Sequence, residues 1–304
     1  MVTKKFNSLF RLQEAFPNEE SCMEYLEKVL WQNGVVSPFD PSSKVYNFGN
    51  HKYRCKNTGK NFTVKTNTIF NNTKLPLRKW FIAMWLLSSN KKGISSCQLA
   101  RDIEVTQKTA WFMLHGIRNS YKFENTGKLF GEVEADESYF GGKNKNRHWD
   151  KKVKNSQGRS CIDKTPVLGM VQRDGKLIAK VIKNVSDKVI AKQLFTYVKL
   201  RSTLFTDEWA GYNTASKFYE RKVVFHGKGQ YVDGESTTNT IEGIWSIMKR
   251  GIIGIYHSTS RKYLQLYMNE FVFRYNTRKM QPNEAFNLLL SNVNYRITYN
   301  DIKR

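Results

Sequence analysis

Two aspartates, Asp136 and Asp207, each sit at the end of a run that reads as a β-strand. A glutamate, Glu242, lies 35 positions beyond the second, near the start of a helical segment. Carboxylate oxygens drawn from separate elements are what a hard divalent cation, Mg²⁺ or Mn²⁺, needs as ligands. Two such ions side by side would activate a nucleophile and stabilise a leaving oxygen in phosphoryl transfer. The plainer reading stands beside this one. The chain has 26 acidic residues, so two at strand ends arise readily by chance, and most surface carboxylates are simply solvated. Glu134, Glu137 and Glu208 are further candidates. Alternation along a strand puts Glu134 on the same face as Asp136, whereas Glu137 and Glu208 are expected to point away.

The helical segment 237–253 carries Asn239, Glu242, Ser246 and Lys249 at steps of three and four, which places them on one face. Ile241, Ile244, Trp245 and Met248 supply the opposite, buried side. An amide, a carboxylate, a hydroxyl and a lysine in one stripe suit a metal ligand followed by a contact to a nucleic-acid phosphate. An ordinary amphipathic helix would give the same pattern. Trp209 and Tyr212, just after Asp207, could stack on an exposed base or serve only to pack.

Several elements must hold these residues. Residues 131–137 alternate as a first strand, and 166–171 and 177–182 flank an Arg173–Lys176 turn as a hairpin. Ser186 begins a helix over 187–199, residues 203–207 form a fourth strand, and helices follow at 237–253 and 261–278. Three strands, a helix, a strand and then helices is the order of a ribonuclease-H-like α/β core, a mixed sheet flanked by helices. In that layout the first and fourth strands are neighbours, so Asp136 and Asp207 converge.

Upstream, residues 77–87 form an apolar helix. Two short helices follow: Ser96 caps the first, Glu104 and Val105 make the turn, and Thr106 caps the second. This is helix-turn-helix spacing, with Thr106, Gln107 and Lys108 where base edges are read; a plain helical hairpin is the alternative. Before it, residues 19–31 have helical periodicity, and strand-like runs at 44–48, 53–56 and 62–65 suggest a three-stranded ribbon. Ribbons of that size are usually held by zinc, but Cys55 stands alone where four ligands are wanted, so zinc is not expected.

Fifty Lys and Arg against 26 Asp and Glu leave a net charge of +24, spread along the chain rather than confined to a tail. That is the footprint of a polyanionic partner, here nucleic acid, with affinity that falls steeply with salt. Residues 143–164 concentrate Lys143, Lys145, Arg147, Lys151, Lys152, Lys154, Arg159 and Lys164 in a basic loop beside the first acidic strand, placed to grip DNA. A composition of 40% hydrophobic and 13% aromatic residues excludes a disordered chain. The longest apolar run, 80–87, is far short of the ~20 residues that span a bilayer, so no membrane partner is expected. No signal sequence is expected either. Four scattered cysteines without a CxxC fit a reducing compartment.

Three motifs make the reading specific. They are Val133-Glu134-Ala135-Asp136-Glu137-Ser138-Tyr139-Phe140-Gly141-Gly142, Thr206-Asp207-Glu208-Trp209-Ala210-Gly211-Tyr212, and the run from Asn239-Thr240-Ile241-Glu242 through Lys249-Arg250-Gly251. With Phe271-Val272-Phe273-Arg274-Tyr275-Asn276 after them, and Tyr53-Arg54-Cys55, Thr68-Ile69-Phe70 and Leu75-Pro76-Leu77 before, the chain resembles the ISXO-type insertion-sequence transposases, prokaryotic relatives of the Merlin elements. The resemblance covers about residues 15–290.

It implies a DDE-type enzyme that cuts at the terminal inverted repeats of its element and joins 3′-hydroxyl ends to target double-stranded DNA. Asp136 and Asp207 would be two metal ligands. The third is Glu242 or Asn239, because the family signature is often written with Asn; Glu242 is the better ligand chemically. Lys249 and Arg250 would contact DNA. Mg²⁺ or Mn²⁺, as two ions, would be the cofactor, and a homodimer or higher assembly would synapse two ends in a cytoplasmic, nucleoid-associated setting. The family's N-terminal zinc ribbon is degenerate here: its two ligand pairs fall on Ser37 and Asp40, and on Cys55 and Thr58.

The expected organisation is an N-terminal helix and ribbon-like unit over 1–75 and a helix-turn-helix region over 76–125. The catalytic domain would occupy 126–290, with a tail at 291–304. A ribonuclease-H-like nuclease or resolvase without strand transfer, and an inactive or domesticated DNA-binding protein, are the competing functions.

Overall fold

The computed structural model describes residues 5–142, 144, 147–154, 162–224 and 238–303. The chain divides into two compact units, 1–120 with 279–304, and 121–278.

The first unit opens with α1 (Leu9–Ala15) and α2 (Glu19–Leu30). Helix α2 begins where a capping box predicts: the Asn18 side chain accepts from the Ser21 N–H, and the Ser21 hydroxyl reaches back to the Asn18 N–H. Strands β1 (Val45–Asn47), β2 (Tyr53–Cys55) and β3 (Asn61–Phe62) form a small antiparallel sheet. Its core is aromatic, with Tyr53 and Phe62 stacked and Trp31 edge-on to both.

The four positions that would hold zinc do not suit it. Cys55 is surrounded by the hydroxyls of Ser37, Ser43 and Thr58, and Asp40 is occupied by Ser42 and Asn57. Zinc favours thiolate and imidazole ligands, and one thiol among hydroxyls is not such a set. Burial raises the Cys55 thiol pKa, but its hydroxyl donors outweigh that and bring it down to about 6.

Next come α3 (Leu77–Ser89), α4 (Ser96–Asp102) and α5 (Gln107–Ser120). The cap of α4 is Ser95, one residue earlier than expected, accepting from the Gln98 N–H. Thr106 does cap α5, accepting from the Thr109 N–H.

The second unit holds β4 (Glu132–Phe140), β5 (Thr165–Gln172), β6 (Leu177–Val181), α6 (Asp187–Tyr197), β7 (Thr203–Asp207), β8 (Glu220–Val224), α7 (Asn239–Gly251) and α8 (Leu264–Asn276). Its sheet runs β6-β5-β4-β7-β8, antiparallel from β6 to β4 and parallel from β4 to β8. This is a mixed sheet of ribonuclease-H-like strand order. Helix α6 buries Ile190 and Leu194 against Val133, Ala135 and Leu204 on one face. Helices α7 and α8 cover the other, with Ile241, Trp245, Met248 and Met268 packed on Val167, Val171 and Ala179.

Strand β8 is not legible from periodicity. It is a short edge strand whose Glu220, Arg221 and Lys222 show no apolar alternation, and it forms by pairing in parallel with β7.

The chain then returns to the first unit through α9 (Pro282–Ser291) and α10 (Tyr299–Lys303). Phe286, on α9, is fully buried against Phe6, Phe81 and Trp85. Residues 279–290 therefore pack with the N-terminal unit rather than closing the domain begun at 126. Among the described residues, no helix is long and apolar enough to cross a membrane.

Candidate active site

Strands β4 and β7 run parallel with Glu134 level with Phe205. Continuing that register two residues brings Asp136 level with Asp207. Helix α7 lies across the same end of the sheet. Together they enclose a pocket of about 580 Å³ lined by Asp136, Glu137, Asp207, Glu242, Trp245, Ser246 and Lys249, with Thr238, Ser138, Tyr139 and Lys164 completing it. On α7 the lining positions fall at steps of three and four, so one helix face supplies Glu242, Trp245, Ser246 and Lys249.

Asp136 is the most confined of the acids. Its Oδ2 accepts from the Trp245 indole N–H at 2.9 Å. Burial, and then the nearby charges of Glu137 and Asp207, push its carboxyl pKa up to about 7, against the lowering effect of the Glu137 backbone N–H and Trp245. Asp207 Oδ1 accepts from the Trp209 N–H at 3.1 Å, which holds the carboxylate at the strand end. Arg221 ties this corner together by donating to the Asp207 and Trp209 carbonyls. Tyr212 is fully buried and donates its hydroxyl to Glu137 at 2.8 Å. Glu242 is exposed, near enough to Thr238 for a 3.4 Å contact from its hydroxyl.

No three Asp, Glu, His or Cys side chains among the described residues are grouped closely enough to hold a metal ion as they stand. The chemistry of the donors nevertheless suits a hard cation. Every acidic donor lining the pocket is a carboxylate, and Asp136 is crowded by two like charges that a divalent ion would offset.

Residues 128–276 match the profile of the ISXO2-like transposase domain. The chain is an ISXO-type insertion-sequence transposase. Transposases of this DDE class are polynucleotidyl transferases. A Halobacterium salinarum relative described as an uncharacterized protein in transposable element ISH50 is 26% identical over 290 residues, spanning 91% of this chain and 97% of the relative.

Among solved structures, the Mos1 transposase paired-end complex with left transposon end aligns over 71% of this chain and 79% of that one, at 11% identity and TM-score 0.29. The Mos1 strand transfer complex aligns over 71% and 78%, at 12% identity and TM-score 0.27. Similarity at that TM-score carries no weight for this chain.

In the transposase, Asp136, Asp207, Glu242 and Lys249 meet in one pocket, whereas Asn239, in the first turn of α7, is exposed and outside its lining. Glu137, expected to face away, lines the pocket; it sits mid-strand on β4, just beyond the residues that pair with β7. Glu208 is exposed. Glu134 is buried beneath α7, away from the pocket lining. Tyr212 proves to be a packing residue, while Trp209 remains 41% exposed.

Thr106, Gln107, Lys108, Lys151, Lys152 and Arg250 are exposed. Gln107 donates to Ser96, and Lys108 lies over the Tyr299 ring. Arg147 is half-buried, with a weak 3.5 Å contact to the Asp163 carbonyl. Lys143 and Lys145 lie outside the described residues. Among the pocket residues that the sequence alone does not single out, Lys164 is one charge in a basic run, and Trp245 reads as helix core although its indole also bonds Asp136.

Proposed function

We propose that this pocket is the phosphoryl-transfer centre of the transposase, with Asp136, Asp207 and Glu242 as the residues that would hold one or two Mg²⁺ or Mn²⁺ ions. Bound there, such ions would supply an activated nucleophile and stabilisation of the leaving oxygen. The chain's own residues do the rest. Trp245 fixes Asp136 Oδ2, and Tyr212 fixes Glu137. Lys164 and Lys249 flank the acids with positive charge suited to the phosphates on either side of the scissile bond. Water, and then the 3′-hydroxyl it frees, are the nucleophiles, so cleavage at the inverted repeats and joining to target DNA use one site in turn.

Helices α4 and α5, with the turn at Glu104 and Val105, act as the helix-turn-helix. Thr106, Gln107 and Lys108 face the major groove, and Arg147, Lys151, Lys152 and Arg250 contact backbone. The small sheet β1–β3 is a metal-free remnant of the ribbon. Two copies bring two element ends together, in the cytoplasm and on chromosomal DNA.

The observation that carries this reading is the meeting of Asp136, Asp207 and Glu242 around one pocket beside two lysines. Strand transfer in Mg²⁺, with the DNA flanking the gene as donor, tests it. Joined products should form with the wild type and disappear in Asp136→Ala and Glu242→Gln. Joining that survives Glu242→Gln would transfer the third role to Asn239. Cleavage without joining would leave a nuclease, and binding without cleavage in either Mg²⁺ or Mn²⁺ would overturn the proposal.

A further inference from the structure

We infer that Glu134 is a positioning residue. It seats α7 on the sheet and so sets Glu242 and Lys249 opposite Asp136. The inference rests on the transposase reading of the pocket. Glu134 lies two residues before Asp136 on β4 with its side chain fully buried, and both carboxylate oxygens are occupied. Oε1 accepts from Arg173 Nε at 3.2 Å, and Oε2 accepts from the backbone N–H of Ile241 at 3.0 Å.

Ile241 is the third residue of α7, and its N–H is one of those a helix leaves without an internal partner. The helix does not cap itself: Thr238, at its N-cap, makes no side-chain cap bond and reaches towards Glu242 instead. The cap comes from the sheet. A carboxylate there also faces the positive end of the helix dipole. Arg173 balances the buried charge; it is held by Glu132 at 3.0 Å and packs over the Phe205 ring at 3.8 Å.

One turn along, Trp245 donates to Asp136. Between these two tethers lies Gly169 of β5, the register partner of Asp136. A Cβ at that glycine would come 2.5 Å from Trp245 and 2.8 Å from Ile241, so only glycine lets the helix approach this closely. Glu134, Gly169 and Trp245 thus fix the height and rotation of α7, and with them the reach of Glu242. With both oxygens used and no place in the pocket lining, Glu134 is not itself a ligand.

The test compares full-length wild type, Glu134→Gln, Gly169→Ala and Asp136→Ala. Glu134→Gln keeps an oxygen for the Ile241 N–H but loses the charge pair with Arg173. Gly169→Ala lifts the helix without touching any acid, and serves if Glu134→Gln fails to fold. Two readouts need no catalysis: hydrogen exchange of residues 239–248, and Mn²⁺ binding followed by electron paramagnetic resonance.

Both positioning variants should speed exchange in 239–248 while 165–172 and 203–207 stay protected. Both should also raise half-saturating Mn²⁺ by about tenfold, as loss of a ligand-orienting contact does. With DNA, half-saturating Mg²⁺ should rise similarly and the rate at saturating Mg²⁺ return to within a few-fold of wild type. Unchanged exchange in 239–248 in both variants would overturn the inference. So would loss of Mn²⁺ binding in Glu134→Gln that Gly169→Ala does not share, since Glu134 would then be a ligand. If the wild type fails to cleave in any divalent ion, the transposase reading of the pocket falls separately, and the exchange result still decides how α7 is seated.

Discussion

A buried hydroxyl beside several carboxylates serves best as a donor, and Tyr212 is such a group. Burial and the charges of Glu137 and Asp136 push its ionisation well above the ordinary tyrosine range, so its O–H stays available to Glu137. Hydrogen bonds to charged groups contribute about 1.5–3 kcal/mol. Tyr212→Phe should therefore lower stability by about that amount, read as a lower urea midpoint with unchanged m-value. A shift below about 0.5 kcal/mol would mean that Glu137 is equally well served by water. Asp207 was legible as a strand-end acid because alternation and turn residues are local, whereas β4 runs on to Phe140 and leaves Asp136 at mid-strand instead of at the expected end. That Glu137 joins them, held by a tyrosine 75 residues away, has no local signature. Either stacking or packing was an equally good reading of Tyr212.

At the scale of elements, the small sheet β1–β3 is tied to α2 through a histidine. His51, between β1 and β2, hydrogen-bonds Glu20 through Nε2 and lies in ion-pair contact with Glu27 through Nδ1, each at 2.8 Å, which ties it to α2. Both contacts can be donated only by the imidazolium. Burial by itself would lower the His51 pKa, but the hydrogen bonds and charges of Glu27 and Glu20 outweigh it and raise the value above the usual 6.5. The folded chain thus holds this proton more tightly than the unfolded one. The stabilisation is fully present below pH 6.5 and is lost as pH rises through the folded-state value. His51→Gln should lower stability at pH 5.5 by about 1 kcal/mol more than at pH 8.5; equal losses in urea melts at the two pH values would refute this.

The aromatic cluster and the hydroxyls around Cys55 predict that a chelator leaves the far- and near-UV circular dichroism of the chain unchanged. Combining Ser37→Cys, Asp40→Cys and Thr58→Cys with the native Cys55 should create tight binding of one zinc per chain, measured by metal analysis. Zinc co-purifying with the wild type, with structure lost on chelation, would contradict that account. The small sheet was readable from its turns and β-rich runs. What surrounds Cys55 was not, because the hydroxyls of Ser37, Ser43 and Thr58 come from separate segments.

At the scale of the whole chain, the first unit is closed by the residues that come last. Phe286 on α9 fills a cage of Phe6, Phe81 and Trp85, all from the first 120 residues. Phe286→Ala should destabilise that unit by about 3–5 kcal/mol, as truncation of a buried phenylalanine does. Hydrogen exchange would then quicken in α1–α3 and stay slow in β4 and β5; equal quickening in both would show that the units unfold as one. The sequence-based boundary at 290 missed this closure. The apolar spacing of α9 declares a buried helix without saying what it is buried against.

What the sequence by itself determined is local: strands by alternation, most helix starts by their caps, the basic character by charge, and Asp136, Asp207 and Glu242 as candidates by their place in motifs. Tertiary structure alone decided which carboxylates share a pocket and which, like Glu134, are used up beneath a helix. It also decided that Asn239 stays outside, that β8 becomes a strand, and that α9 belongs with the beginning of the chain. The physical reason is range. Propensity, capping and alternation act over a few residues, whereas pairing, burial and charge crowding act between residues that meet only after the chain has folded.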